Sequence, residues 1–180
     1  MLVLQILGAL VGLVVLLLII AAVQSDEMEI VRSTKISTPP GTVFPHVNDF
    51  HNWEAWSPWE KLDPNLKRSF EGPASGVGAI YGWEGDKNVG SGRMTIVESR
   101  PSELIRIKLE FLKPFPATNE ALWTFKPDGN QTDVTWKMTG KKAFMMKLMG
   151  LFMNLEKMIG KNFEDGLAAL KTIAEGSPGK

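Results

Sequence analysis

The chain has 180 residues, and its 20 lysines and arginines balance 20 aspartates and glutamates, so the formal net charge is zero. This balance leaves no overall positive field to attract nucleic acid, and we predict no nucleic-acid partner. The sequence has no cysteine and only two histidines, which excludes disulfides, thiol nucleophiles and thiolate metal sites. We predict neither a bound metal nor a cofactor.

The first element is an uncharged apolar segment, residues 1–23, in which Gln5 is the one polar side chain. At about 1.5 Å per residue, a helix of this length reaches about 34 Å, enough to cross the hydrocarbon core of a bilayer. We predict that residues 1–24 form a transmembrane anchor and that the protein is a single-pass membrane protein with the lipid bilayer as a partner. The anchor residues we single out are Leu2, Leu10, Leu16 and Ile20.

A cleaved secretory signal is the alternative for this segment. Such signals combine a basic region, a short apolar core and a small-residue cleavage site. No lysine or arginine precedes Arg32 here, and residues 21–23 match a cleavage site only loosely, so we favour the anchor. Arg32 and Lys35 are the basic residues nearest the anchor, and they favour a domain on the cytoplasmic side because cytoplasmic flanks carry an excess of positive charge.

The rest of the chain is predicted to form one domain at residues 28–175 and a disordered tail at 176–180. Alternating side chains predict a first strand at 28–37. Two short helices follow at 42–48 and 50–56. Six more strand-like segments are separated by turn signals, and these segments are 66–71, 78–84, 90–99, 103–113, 119–126 and 132–139.

Turn residues between these segments indicate how the strands connect. Residues 127–130, Pro-Asp-Gly-Asn, predict a hairpin between the last two strands because Asp, Gly and Asn tolerate positive φ angles. Glycines in 75–78 and 90–92 predict tight bends or bulges. These features are typical of a curved antiparallel sheet.

The hydrophobic period changes in the last segment, from Phe144 onward. Apolar residues recur there every three or four positions, which predicts one long helix with an apolar face. Gly150 and Gly160 interrupt this helix, and we predict a bend or break near Gly150. The antiparallel sheet is the only partner large enough to bury the apolar face. The predicted fold class is therefore α+β, with a strongly curved antiparallel sheet wrapped around a long C-terminal helix.

Local motifs accompany this order of elements, in the segments 36–44, 47–50, 52–59, 76–78 with Tyr81 and Trp83, 90–92 with Ile96, and 163–171. Together they resemble the SRPBCC superfamily, the START-like or helix-grip fold, in its polyketide cyclase/dehydrase and lipid-transport branch, where an N-terminal membrane helix is also familiar. The resemblance implies a cavity between sheet and helix that accepts hydrophobic small molecules or lipids. It does not imply one reaction, because the superfamily contains carriers and cyclases alike.

Large side chains mark the candidate walls of this cavity. Tryptophans recur at three-residue spacing in 53–59, and aromatic residues alternate along several predicted strands. Aromatic rings can wall an apolar pocket and still offer a polar group to a ligand. Ordinary core packing is the alternative for each ring. The predicted lining residues are Trp56, Trp59, Tyr81, Trp83, Met94, Trp123, Trp136, Met145, Met149 and Phe152.

Methionines cluster in the first half of the predicted C-terminal helix, beside Phe144 and Phe152. Flexible thioethers adapt to varied apolar ligands, so this stretch could act as a lid or enter the bilayer interface. Lys141, Lys142 and Lys147 lie close by and could attract anionic headgroups. A helix buried against the sheet and the anchor is the alternative.

Catalytic patterns are sparse. His46, His51 and Ser57 lack a nucleophile-elbow motif and a third orienting residue, so we expect them to be polar surface residues. Alternation along the strands predicts that their carboxylates lie on the outer, solvated face. These carboxylates are Glu84, Asp86, Glu98, Glu110 and Glu120.

Three functions remain open from the sequence. The leading one is a membrane-anchored domain that binds a lipid or another hydrophobic small molecule without catalysis. The second is an enzyme of the cyclase or dehydrase type, in which a carboxylate or Tyr81 moves a proton. The third is a structural or partner-binding domain whose cavity is filled by its own Trp and Met side chains. The sequence makes no prediction of the oligomeric state.

Overall fold

The computed structural model describes residues 1–87 and 89–176. Of the tail predicted at 176–180, all but Gly176 lies outside the described residues. The described residues form seven strands, with helices before the first strand, between the first and second strands, and after the last strand. In chain order the elements are α1 (Leu2–Val23), β1 (Glu27–Ile36), α2 (Pro40–Asn48), the 3₁₀ helices Phe50–Ala55 and Pro58–Lys61, β2 (Lys67–Glu71), β3 (Ile80–Glu84), β4 (Ser91–Arg100), β5 (Leu104–Lys113), β6 (Ala117–Asp128), β7 (Gln131–Lys141), α3 (Phe144–Gly150) and α4 (Leu155–Ala174).

The seven strands form one sheet in the order β1-β7-β6-β5-β4-β3-β2, and every neighbouring pair is antiparallel. The predicted hairpin is confirmed: Asp128 pairs with Gln131, and Gly129 between them has a φ of 59°. The register of β4 against β5 shifts at Ser91/Gly92 and again at Ile96/Glu98. Such bulges bend the sheet, which curves around α4. The predicted α+β helix-grip fold is confirmed.

The core lies between the inner face of the sheet and α4. On β7, Val134 and Trp136 point inward and are buried. Phe163 of α4 stacks on Trp136 with ring centroids 4.0 Å apart. Burial of such rings dominates the packing energy of a core, so this stack couples the helix to the sheet.

Ion pairs at the sheet edge hold α4 against β1. Arg32 of β1 donates from Nε to Glu164 at 2.7 Å and from Nη2 to Glu156 at 2.9 Å, and both glutamates belong to α4. A Cβ on Gly160 would lie 2.0 Å from Arg32 Nη2. Glycine at this helical position therefore makes room for the guanidinium group that spans the two elements.

The C-terminal helix differs from its prediction in one respect. The prediction of a single long helix from Phe144 is wrong, because α3 ends at Gly150 and α4 starts afresh at Leu155. The break predicted near Gly150 is confirmed. The Asn154 side chain accepts a hydrogen bond from Lys157 N at 2.9 Å. Asparagine is favoured at this N-cap position because its oxygen satisfies a free N–H of the first turn, so the sequence at 154 restarts the helix.

Helix α1 leads into β1 and is long and apolar enough to cross a membrane. Most of its side chains are exposed, whereas Ala21 is fully buried. Helix α1 also contacts α3. The division into an anchor at 1–24 and a domain at 28–175 remains a prediction.

Candidate functional site

An apolar cavity of about 270 Å³ lies between the sheet and the first half of α4. Five consecutive strands of the sheet, β3 to β7, contribute to its wall, together with the segment that holds the 3₁₀ helices. The lining residues are Trp53, Ser57, Trp59, Glu60, Leu66, Tyr81, Trp83, Val89, Met94, Leu109, Phe111, Ala121, Trp136, Met138, Ile159 and Phe163.

A small side chain in the sheet helps to leave this space. Ala121 of β6 points inward and pairs with Ile107 of β5 and Met138 of β7. The next inward residue on its own strand is Trp123. Packing at the density of a protein interior fills space between large neighbours, and a methyl group at position 121 cannot do so. The third function from the sequence, a cavity filled completely by its own side chains, is therefore not favoured.

One polar cluster interrupts the apolar wall. Tyr81 Oη donates a hydrogen bond to Glu60 Oε1 at 2.5 Å. Arg68 Nε donates to Glu60 Oε2 at 2.6 Å, so both oxygens of this buried carboxylate have a donor. Charge-assisted bonds of this kind offset the cost of burying the carboxylate. The cluster forms because Arg68 on β2 pairs with Trp83 of β3, which brings Arg68 beside Tyr81.

The environment of Tyr81 determines its proton state. Burial raises the pKa of Tyr81, and the hydrogen bond to Glu60 raises this pKa further. The hydrogen bond that Arg68 donates to Glu60 likewise raises the pKa of Arg68. At neutral pH the phenol is therefore a stable hydrogen-bond donor that holds its proton. The chemistry of the cluster suits orientation of a polar ligand group better than proton transfer.

This raised pKa has a measurable consequence, because Tyr81 is the only tyrosine in the chain. We expect no tyrosinate absorbance from the folded protein as the pH passes about 10, where a free tyrosine ionises. The unfolded state does lose this proton, so the stability from Tyr81 is complete below about pH 10 and is lost above it. An alkaline absorbance titration, with circular dichroism to follow folding, checks this. Reversible ionisation near pH 10 in the folded protein would contradict it.

Ser57 is buried on the cavity wall, which corrects its predicted surface position. It is 2% exposed, and its hydroxyl is hydrogen-bonded to no residue that the structure describes. His51 Nδ1 is bonded to Asp49 at 2.7 Å, and its ring stacks on Phe70. Neither histidine is hydrogen-bonded to Ser57 within the described residues, so no nucleophile–base pair forms there.

The structure divides the ten predicted lining residues into three groups. Trp56 and Trp123 are buried in the core behind the wall, where Trp56 Nε1 donates to His46 O at 3.0 Å. A second group lies outside the cavity on α3 and the turn after it, with exposed side chains: Met145, Met149 and Phe152. The residues that line the cavity are Trp59, Tyr81, Trp83, Met94 and Trp136. A role of any of them in ligand binding remains a prediction.

The sequence analysis did not predict several residues of the cavity wall. Ile159 and Phe163 lay on the predicted apolar face of the helix, and Ala121 alternates with Trp123, so periodicity held a signal for them. Glu60 had none. Its burial depends on Tyr81, which is 21 positions away in the chain.

The strand carboxylates lie away from the cavity. Glu110 pairs with Arg93 and Lys108, and these partners lower the pKa of Glu110. Glu98 and Glu120 share Arg106 as a partner. None of the five predicted carboxylates lines the cavity. Asp86 corrects its predicted strand position, since it lies in the turn between β3 and β4. Across 1–87 and 89–176, no group of three or more His, Asp and Glu side chains is placed to hold a metal ion.

Comparisons with known structures place this fold among enzymes and other proteins. The aromatase/cyclase Zhui from Streptomyces sp. R1128 matches with a TM-score of 0.60 at 14% identity, over 83% of this chain and 94% of that chain. A protein from Thermus thermophilus matches with a TM-score of 0.60 at 18% identity, over 84% and 100%. The di-domain aromatase/cyclase BexL, from the BE-7585A biosynthetic pathway, matches at 0.63 and 15% identity, over 88% and 53%.

These identities are low, so the structural matches establish the fold alone. No curated protein matches the sequence. The sequence model of the family described as polyketide cyclase / dehydrase and lipid transport matches residues 27–175, nearly the whole chain after α1. Together with the seven-stranded sheet around α4 and its apolar cavity, this match shows that the chain belongs to the polyketide cyclase/dehydrase and lipid transport family.

Proposed function

We propose that this protein is a membrane-anchored, non-catalytic domain that binds a lipid or another hydrophobic small molecule in the cavity between the sheet and α4. The observation that carries the proposal is an apolar cavity whose wall has only two polar features among the described residues, the Glu60–Tyr81 pair and Ser57. Membership of the family supports a domain for hydrophobic ligands. The apolar length of α1 supports attachment to a membrane.

The volume of the cavity restricts the ligand. Pockets for drug-sized molecules hold about 300–1,000 Å³, and this cavity, at about 270 Å³, lies just below that range. A ligand that fits has one small ring system, or it places one chain inside and leaves the rest outside. A complete two-chain phospholipid exceeds the space.

The wall also restricts the polar chemistry of the ligand. Tyr81 and Arg68 already occupy both oxygens of Glu60, and the described lining residues include no lysine or arginine that could pair with a ligand anion. Ser57 offers a hydroxyl that is bonded to no described residue. Burying an uncompensated charge costs far more than burying a neutral polar group. We therefore infer a ligand with an uncharged polar group, such as a hydroxyl or a ketone.

A cyclase or dehydrase is the second candidate, and one observation favours it. Glu60 and Tyr81 form a buried carboxylate–phenol pair on the cavity wall, the kind of group that proton transfer requires. Their partners work against this role, since Arg68 neutralises the carboxylate and the phenol has a raised pKa. Turnover of a polyketide-like ketone that is lost in Glu60→Gln, with ligand binding retained, would select the enzyme.

Filling the cavity tests the binding proposal. Ala121→Leu places three more carbon atoms into the hollow, and overpacking of this kind costs about 1–3 kcal/mol. We expect the amount of apolar compound extracted per mole of purified full-length protein to fall about 10-fold or more. Mass spectrometry of organic extracts measures this amount.

The matched control is Ala168→Leu, which makes the same change at an exposed position of α4. It should leave the extracted compound unchanged. The proposal fails if wild-type protein yields no apolar compound and is stabilised by no member of a lipid panel. It also fails if Ala121→Leu carries as much compound as wild type while remaining folded.

A further inference from the structure

We infer that the domain itself contacts the bilayer surface, in addition to its attachment through α1. Three segments insert among the lipid headgroups: α3, residues 151–154, and the β5–β6 loop at 114–116. We call these three segments the membrane-proximal face. The inference depends on the proposed function, because it requires α1 to span the membrane. The partner of this surface is the lipid bilayer itself.

Strand register brings the three segments to one end of the sheet. Helix α1 enters β1 at this end, α3 follows β7 there, and the 114–116 loop joins β5 to β6 there. The residue pairs that establish this are Glu27↔Lys141, Asn119↔Gly140, Phe111↔Ala117 and Ser91↔Lys113.

The contact between α1 and α3 sets the depth of this face. Helix α1 has 22 residues, or about 33 Å, which only just exceeds a hydrocarbon core of about 30 Å. Along α1, Leu17 is half-buried and Ala21 is fully buried, one turn apart, and α1 packs against α3. Since these residues lie within about 9 Å of the end of α1, α3 lies level with the last turns of a membrane-spanning helix.

Polar contacts fasten α3 in this place. Lys147 of α3 forms an ion pair with Asp26, which lies between α1 and β1, and the Lys147 side chain is largely buried. This partner lowers the pKa of Asp26. Lys142 N also donates to Asp26 O at 2.6 Å. The position of α3 beside the end of α1 is therefore tied at two points.

The membrane-proximal face exposes large apolar side chains. Phe152 is 72% exposed, Phe115 is 50% exposed and Phe144 is 47% exposed, and methionines of α3 and the following turn lie beside them. An exposed apolar cluster of this kind marks an interaction surface. At the opposite end of the sheet, the described connecting loops expose Val77 as their one large apolar side chain. Large exposed apolar side chains are therefore concentrated at the end of the sheet where α1 enters β1.

Lysines around the face complete the pattern of an interfacial segment. Lys113, Lys141 and Lys142 lie at this end of the sheet, and none of them forms an ion pair with a residue in the described ranges. Lysine stems can lie along apolar surface while the ammonium groups reach lipid phosphates. In purely aqueous surroundings the phenylalanines would stay exposed to water, whereas at a bilayer surface they can enter the lipid.

The cavity lies toward the same end. Phe111 and Trp83, which line it, both pair with Gly92 at the start of β4. A second groove of about 510 Å³ runs between the start of β1 and the turn after α3. The cavity and the groove share no lining residue, but both lie toward the end of the sheet that carries the membrane-proximal face.

Spin labels test this placement, because the chain has no cysteine and each introduced one is unique. Nitroxides are attached to the full chain through Phe152→Cys, Phe115→Cys, Val77→Cys or Leu10→Cys, each in vesicles of phosphatidylcholine and phosphatidylglycerol. Collision rates with oxygen, which concentrates in lipid, are compared with those of a water-soluble nickel complex. All but Leu10 are exposed positions of the domain, and circular dichroism verifies folding.

We expect the labels at 152 and 115 to collide more with oxygen, as at 10, and the label at 77 to collide more with nickel. The inference is overturned if 152 and 115 behave like 77 while 10 remains in lipid. It is also overturned if 152 and 115 are shielded from both reagents, because a protein partner then covers them. Frequent collisions of the label at 10 with nickel would show that α1 does not span the membrane. This result would contradict the proposed membrane attachment as well.

Discussion

Replacing Trp136 with alanine is expected to lower the free energy of unfolding by about 3–5 kcal/mol, the usual cost of deleting a large buried ring. Trp136 is 4% exposed and lies between two other rings. Its centroid is 4.0 Å from that of Phe163 on α4 and 4.3 Å from that of Trp123 on β6. The substitution therefore removes the central member of the stack that joins helix to sheet.

Trp136→Phe is the matched control, since it keeps an aromatic ring in the stack. The indole Nε1 of Trp136 is buried and has no hydrogen-bond partner among the described residues. Phenylalanine removes this unsatisfied N–H, which offsets part of the lost packing. We expect a loss well below that of alanine. Urea unfolding of the full chain in detergent, followed by circular dichroism, measures both variants. Equal losses for the two would contradict a stacking role.

Two arginines in α1 are expected to detach the protein from membranes. An arginine near the centre of a membrane helix costs about 2.5–3.5 kcal/mol on insertion scales, so Leu10→Arg with Leu16→Arg costs about 5–7 kcal/mol. Both leucines lie inside α1 and are exposed on its surface. We expect the double variant to move from the alkali-resistant membrane fraction to the soluble fraction, as followed by immunoblotting after carbonate extraction.

The control replaces the same two residues with isoleucine, which keeps the segment apolar and should leave the protein in the membrane fraction. Intact mass of the membrane-bound protein separates an anchor from a cleaved signal, because cleavage would remove the first 20 or so residues. Membrane anchoring would be contradicted if alkali released the wild-type protein from the membrane fraction, or if the mature protein lacked α1.

Local chemistry was enough to predict most of the fold. The hairpin at Gly129 follows from a residue that tolerates positive φ, and the break near Gly150 follows from the weak helix propensity of glycine. Alternation identified β1, and strand-like segments bounded by turn residues identified the other six strands. Alternation also placed Glu110 on the outer face, whereas Glu98 faces outward because the bulge between Ile96 and Glu98 shifts the register of β4.

The candidate site required the tertiary structure. Glu60 is buried only because Tyr81 and Arg68, from two other elements, reach it. Trp56 and Trp123 are core residues while Trp59 and Trp136 line the cavity, although all four are tryptophans with similar local patterns. A large side chain borders the cavity only where the residue opposite it across the core is too small to fill the space. The small Ala121 of β6 is one such residue.

By itself, the sequence determined the apolar N-terminal helix, the order of the strands along the chain, the turns and the amphipathic C-terminal segment, because each depends on interactions between residues close in the chain. Only the tertiary structure decided the volume of the cavity, the partners of Glu60 and the position of α3 beside the end of α1. Those features depend on contacts between residues far apart in sequence, and side-chain periodicity contains no information about which distant surfaces meet.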